Sequence, residues 1–74
     1  MPQFYFRRRD TPHAPGEHPH DLRDLGQALI VGNRLARRIV RRESDLRGGA
    51  LDIETDDHRL VARILFADVA RQMS

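Results

Sequence analysis

The chain of 74 residues contains no cysteine, no lysine and no tryptophan, and only four of its residues are aromatic. Without cysteine there is no disulfide and no thiolate metal site. The longest aliphatic run, residues 28–31, is far shorter than the roughly 20 residues that a membrane-spanning helix needs. Near the N-terminus the aromatic residues precede the arginines, which is the opposite order to a secretory signal. We therefore expect a cytoplasmic protein that does not use a membrane.

The chain is short for a self-sufficient core. A domain of this size buries only about 60% of the surface that its unfolded chain exposes, and just 39% of these residues are hydrophobic. We expect one domain over residues 1–74. The small core favours self-association, because a second copy would add the buried surface that one copy lacks.

The pattern of side chains predicts three strands. Residues 3–9 place Phe4 and Phe6 on one face and Tyr5 on the other. Residues 10–20 contain three prolines, which predicts a loop with at most a short edge segment. Residues 50–55 alternate, and a tight reversal at residues 56–58 leads into a strand over residues 59–67. That last strand is expected to point Leu60, Ala62, Ile64 and Phe66 inward and Val61, Arg63 and Leu65 outward.

One long helix lies between these strands in sequence. It is expected to begin at Asp21 or Asp24, whose side chains can cap a first turn, and to end near Ser44. The helical period predicts a buried stripe of Leu25, Leu29, Gly32, Ala36 and Ile39, which Leu46 extends. The predicted fold is α+β in the order β-(β)-α-β-β, with the helix across one face of a small antiparallel sheet. Residues 69–74 would form a short helical tail or fray.

The order of features resembles an uncharacterised family of short bacterial proteins. The matching pieces are the opening Met1-Pro2-Gln3-Phe4-Tyr5-Phe6, the helix start Leu22-Arg23-Asp24-Leu25, and the hairpin Asp57-His58-Arg59-Leu60-Val61 that leads to Phe66. The resemblance implies a compact α+β fold and no known activity.

The outward face of the helix favours a protein partner. All 13 basic residues are arginine, and residues 1–43 carry a balance of +4 against −2 for residues 44–74. Apolar side chains at Ile30 and Val31, set among arginines, are typical of a contact surface. We expect a small adaptor or regulator that forms a homodimer. Its expected partner-binding residues are Ile30, Val31, Arg34, Arg37, Arg38, Arg41, Tyr5, Val61 and Leu65.

Nucleic-acid binding is the alternative. The guanidinium groups of the helix could follow a phosphate backbone, and three strand arginines would add charge. No recognisable helix-turn-helix, zinc or RNA-recognition module accompanies them. The residues for this alternative are Arg34, Arg37, Arg38, Arg41, Arg42, Arg7, Arg8 and Arg9.

Two further groups of side chains could in principle support metal binding or catalysis. His13, His18 and His20 have a spacing that would bind zinc or nickel weakly, but a surface loop does not hold ligands rigidly. Asp52 and Glu54 alternate onto the outer side of a strand, where we expect them to be exposed and therefore unsuited to acid–base catalysis. We expect no cofactor and no enzymatic activity.

Overall fold

The described residues form a four-stranded antiparallel sheet and two helices. A computed structural model of the protein describes residues 2–9, 19–43 and 48–73. The elements are β1 (Gln3–Arg8), β2 (His20–Asp21), α1 (Leu25–Arg42), β3 (Ala50–Thr55), β4 (Leu60–Leu65) and α2 (Phe66–Met73). The strands lie in the order β2-β1-β3-β4. The predicted α+β fold is confirmed, and the short edge segment is the two-residue strand β2.

One face of the sheet carries the core. The register pairs Phe6 with Ile53 and Leu51 with Ile64, so apolar side chains from three strands meet on the helix side. Ile53 is fully buried, and Leu51 is nearly so. This is the inner face that alternation predicted. The opposite, outer face carries Tyr5 and the charged side chains described below.

Local hydrogen bonds determine where α1 begins. Asp24 is the N-cap, because its Oδ1 accepts a hydrogen bond of 2.9 Å from the Gln27 N–H. The Gln27 side chain in turn accepts from the N–H of Arg23 at 2.7 Å. This reciprocal arrangement satisfies two backbone donors at the exposed helix start. The helix ends at Arg42, and Glu43 is the C-cap. The predicted extension to Ser44 and the position of Leu46 lie outside the described residues.

The helix is rotated slightly relative to the predicted stripe. Ala28, Gly32 and Ala36 are the buried residues of α1, whereas Leu25 and Leu29 are 39% and 36% exposed. The prediction that Leu25 and Leu29 are buried is therefore wrong. Three small residues at intervals of four let the helix approach the sheet closely, and the larger leucines lie beside this line of contact. A Cβ on Gly32 would lie 2.9 Å from Ile64 Cδ1 and 3.1 Å from Ile53 Cδ1.

The chain turns from β4 directly into α2. Phe66 was predicted to lie in the last strand, but it is the first residue of α2 and is buried. Its N–H donates to the carbonyl of Gly49 at 3.2 Å, which ends the β3–β4 ladder. Val69 is buried and Met73 packs against the core, so α2 completes the helix layer beside α1. None of the described helices is long and apolar enough to cross a membrane.

Candidate interaction surfaces

The open edge of β4 is the first candidate surface. β4 is the outermost strand of the sheet on the side opposite β2. The Phe66 N–H donates to the Gly49 carbonyl, so the backbone of Phe66 faces β3. In an antiparallel ladder every second residue faces the partner strand. The N–H and C=O groups of Arg63 and Leu65 therefore point away from β3. Leu60 and Leu65 are 46% and 47% exposed. We call this surface, formed by Leu60, Leu65 and the outward backbone groups between them, the β4 edge.

Leu60 was predicted to point inward, and that prediction is wrong. Ile53 pairs with Ala62, but the next residue, Glu54, pairs with Leu60, so a bulge interrupts the register. A bulge shifts the alternation of the strand by one residue, and Leu60 becomes exposed. Val61, the extra residue, is half-buried and packs against the core, so it offers less free surface than its predicted outward position implies. The alternating sequence pattern gave no signal of the bulge.

The outer face of the sheet holds a buried carboxylate between arginines. Arg63 Nε donates to Asp52 Oδ1 at 2.8 Å, and Arg9 Nη1 donates to Asp52 Oδ2 at 3.3 Å. The Asp52 side chain is only 5% exposed, whereas those of Arg9 and Arg63 are 55% and 40% exposed. The hydrogen bond to Asp52 raises the pKa of Arg63 above its usual value. The prediction that Asp52 is exposed is wrong, because Arg63 of β4 and Arg9, the residue that follows β1, cover it from both sides.

Glu54, on the same face, is also buried rather than exposed as predicted. Arg7 Nη2 and His58 Nδ1 lie 4.0 Å and 3.9 Å from Glu54 Oε1, and this oxygen accepts no hydrogen bond from the described part of the chain. The rings of Tyr5 and His58 lie 5.9 Å apart, centroid to centroid. His58 itself has a φ of 62°, a left-handed conformation that side chains seldom adopt. Tyr5 is thus half-buried beside this cluster.

The turn between β3 and β4 is closed by a side-chain hydrogen bond. The Thr55 hydroxyl donates to the carboxylate of Asp57, and this bond is the main reason that the pKa of Asp57 is lowered. The Thr55 N–H also donates to the carbonyl of Arg59 at 3.0 Å. The exposed carboxylate of Asp57 is therefore held within the hairpin itself.

The second candidate surface lies on the solvent side of α1. Five side chains there are exposed, and none forms an ion pair with a carboxylate in the described ranges. They line a shallow groove of about 380 Å³. We call this the arginine surface; its residues are Arg34, Arg37, Arg38, Arg41 and Arg42.

The three arginines at the end of β1 do not belong to this surface. Arg8 donates to Glu43 at 2.7 Å and 3.1 Å, and its guanidinium lies 5.6 Å from the centre of the Phe66 ring. These contacts connect the end of α1 to the start of α2. Arg7, Arg8 and Arg9 therefore serve contacts within the domain and do not join the arginine surface.

The two aliphatic residues predicted to face outward behave differently from one another. Ile30 is 58% exposed and lies beside Arg34 and Arg37, as predicted. Val31 is half-buried and packs against the core, so its predicted outward position is wrong. The rotation of α1 brings Val31 and Leu35 toward the sheet and removes Val31 from the expected contact surface.

Of the three histidines predicted to bind a metal weakly, His20 lies in the described part of the chain. His13 and His18 lie outside the described residues, and His20 belongs to β2, where its ring lies 4.9 Å from that of Phe6 in an edge-to-face contact. Within residues 2–9, 19–43 and 48–73, no group of three or more histidine or acidic side chains is arranged to hold a metal ion. Metal binding by the complete loop stays a prediction.

Comparison with known proteins assigns the chain to a family. The model of a family described as a domain of unknown function, DUF6894, matches residues 3–67. The match covers most of the chain, so the chain belongs to this family, and the resemblance to an uncharacterised family is confirmed. No curated protein and no solved structure matches the chain.

Proposed function

We propose that this member of the DUF6894 family is a non-enzymatic protein-interaction module that self-associates by pairing its β4 edge with that of a second copy. The observation that carries the proposal is the β4 edge itself, an outermost strand with two half-exposed leucines. The buried carboxylate of Asp52 supports the non-enzymatic part of the proposal. Asp52 is bound by two arginines, which leaves it no free proton-accepting role.

Protection against unwanted pairing is weak along this edge. Natural sheets usually place lysine, proline or free charges on their outer strands. The sequence Leu60–Leu65 holds one charged residue, Arg63, and its side chain is hydrogen-bonded to Asp52. The outward N–H and C=O groups of Arg63 and Leu65 are therefore flanked by apolar side chains. This combination favours pairing with an antiparallel strand.

Pairing with a second copy would both satisfy the outward backbone groups and cover the exposed leucines. An antiparallel partner strand supplies acceptors and donors to the outward backbone groups of each copy. It also covers the exposed parts of Leu60 and Leu65, and burying a whole leucine side chain contributes about 1.5–3 kcal/mol. One strand pair is a small interface, so we expect a dissociation constant in the micromolar range. A dissociation constant of 1 μM corresponds to a binding free energy of about −8 kcal/mol.

The experiment is a mass measurement by light scattering over a concentration series up to about 100 μM, a range that brackets such a constant. The test variant is Leu60→Lys/Leu65→Lys, which puts two charges on the β4 edge. The matched control is Leu25→Lys/Ile30→Lys, which adds the same charge at exposed positions of α1. We expect a dimer for the unmodified chain and the control, and a folded monomer for the test variant.

Two results would overturn the proposal. One is an unmodified chain that is monomeric at every concentration. The other is a control that dissociates while the β4 variant stays dimeric, because that result would move the contact to the Ile30 side of α1. Circular dichroism of both variants verifies that each is folded.

A further inference from the structure

We propose that the arginine surface of α1 binds the phosphate backbone of nucleic acid without regard to base sequence. This function goes beyond self-association and uses a different side of the domain. It therefore stands or falls independently of the β4 edge.

The arginines of α1 differ from those of the sheet and of α2 in their carboxylate partners. The five guanidinium groups of the arginine surface have no carboxylate partner among the described residues. Five other arginines each lie within 4.0 Å of a carboxylate oxygen, namely Arg7, Arg8, Arg9, Arg63 and Arg71. Among the described residues, the acids thus pair with arginines of the sheet and of α2, and none pairs with the arginine surface.

The side chains that lie between these arginines also favour phosphate binding. From residue 33 to residue 42, every exposed side chain is polar; they are Asn33 and the five arginines. The exposed Ile30 lies beside Arg34 and Arg37, before this segment begins. Leu35, Ile39 and Val40 of the same segment pack against the core. A protein interface normally has an apolar centre that is depleted of charge. A surface of guanidinium groups without such a centre is instead suited to phosphates, which arginine binds with paired hydrogen bonds.

The dimensions fit a short stretch of backbone. With a rise of about 1.5 Å per residue, the surface from Arg34 to Arg42 is about 12 Å long. One strand of duplex DNA carries a phosphate about every 3.4 Å along its axis. The arginine surface can therefore face about three or four successive phosphates of one strand and reach others across a groove.

The number of arginines sets the expected dependence on salt. Each neutralised phosphate contributes about −0.9 to the slope of log affinity against log salt for duplex DNA. Five contacts give a slope of about −4.5, which is a loss of about 500-fold between 50 and 200 mM salt. For single strands the slope would be about −3.5.

The experiment measures fluorescence anisotropy of a labelled 20-base-pair DNA duplex and of a 20-nucleotide RNA, from 50 to 200 mM salt. The test variant is Arg37→Gln/Arg41→Gln. The matched control is Arg23→Gln/Arg59→Gln, which removes the same charge at exposed positions outside the arginine surface. A polyglutamate chain of equal charge serves as a competitor.

We expect the test variant to bind the duplex about 200-fold more weakly at 50 mM salt, the value that counterion release gives for two lost contacts. The slope should also become less steep by about 1.8. The control should stay close to the unmodified chain. The proposal is overturned by any of three results: no binding at 50 mM salt, an equal loss in the control, or equally tight binding of polyglutamate, which would indicate an acidic protein as partner.

Discussion

Removing the two arginines that cover Asp52 should destabilise the domain far more than removing Asp52. In the variant Arg9→Gln/Arg63→Gln, a carboxylate that is 5% exposed loses both of its hydrogen-bonded charges. Stripping a buried charge of its partner costs about 3–5 kcal/mol. We expect a value near 3 kcal/mol, because Arg7 lies opposite Asp52 in β1 and can compensate in part. Asp52→Asn alone should cost about 1 kcal/mol, since the half-exposed arginines return to water.

Removing the unpaired charge should restore stability to the double arginine variant. Adding Asp52→Asn to the double arginine variant removes the stranded charge, so the triple variant should be about 2 kcal/mol more stable than the double variant. Urea unfolding at pH 7 and low salt measures the free energy of unfolding of each variant and thus both predicted differences. The reasoning is refuted if the double variant loses less than about 1 kcal/mol, the level of a surface ion pair, or if Asp52→Asn destabilises the double variant further.

Two more expectations concern the helix contact and the hairpin turn. Gly32→Ala should lower the midpoint of thermal unfolding, because crowding against Ile64 costs about 1–3 kcal/mol and outweighs the roughly 1 kcal/mol gained in helix propensity. Gly48→Ala, at an exposed position where a Cβ meets no other atom within 4 Å, should leave the midpoint nearly unchanged. Thr55→Val should destabilise the domain at pH 7, and by less at pH 3. The lowered pKa of Asp57 contributes stability above its ordinary value of 3.8, and this contribution is lost as pH falls through the folded-state pKa. Unfolding curves at the two pH values test the point, and a pH-independent difference would contradict it.

The backbone architecture could be predicted from sequence because its signals are local. Alternation in residues 3–9 and 50–55 gave two strands and their inner faces, and three prolines restricted the intervening segment. The predicted burial of Gly32 is also confirmed. These features depend on spacing along the chain, which the sequence displays directly.

The surfaces were harder to predict because they depend on contacts between strands. Asp52 lies on the predicted outer face, but only the register shows that Arg9 and Arg63 come from both sides to bury it. The bulge that exposes Leu60 has no signature in an alternating pattern. The orientation of α1 depends on small residues that pack closely, whereas the prediction gave more weight to the large residue Leu29.

Hydrogen–deuterium exchange of the β4 backbone tests self-association through the β4 edge most directly. The N–H groups of Arg63 and Leu65 point away from β3, so in a single copy they should exchange quickly with solvent. We expect both amides to become protected as the protein concentration rises, in parallel with the dimer fraction, while the amides of α1 keep their exchange rates. Rapid exchange of both amides at concentrations where light scattering reports a dimer would contradict pairing through this edge.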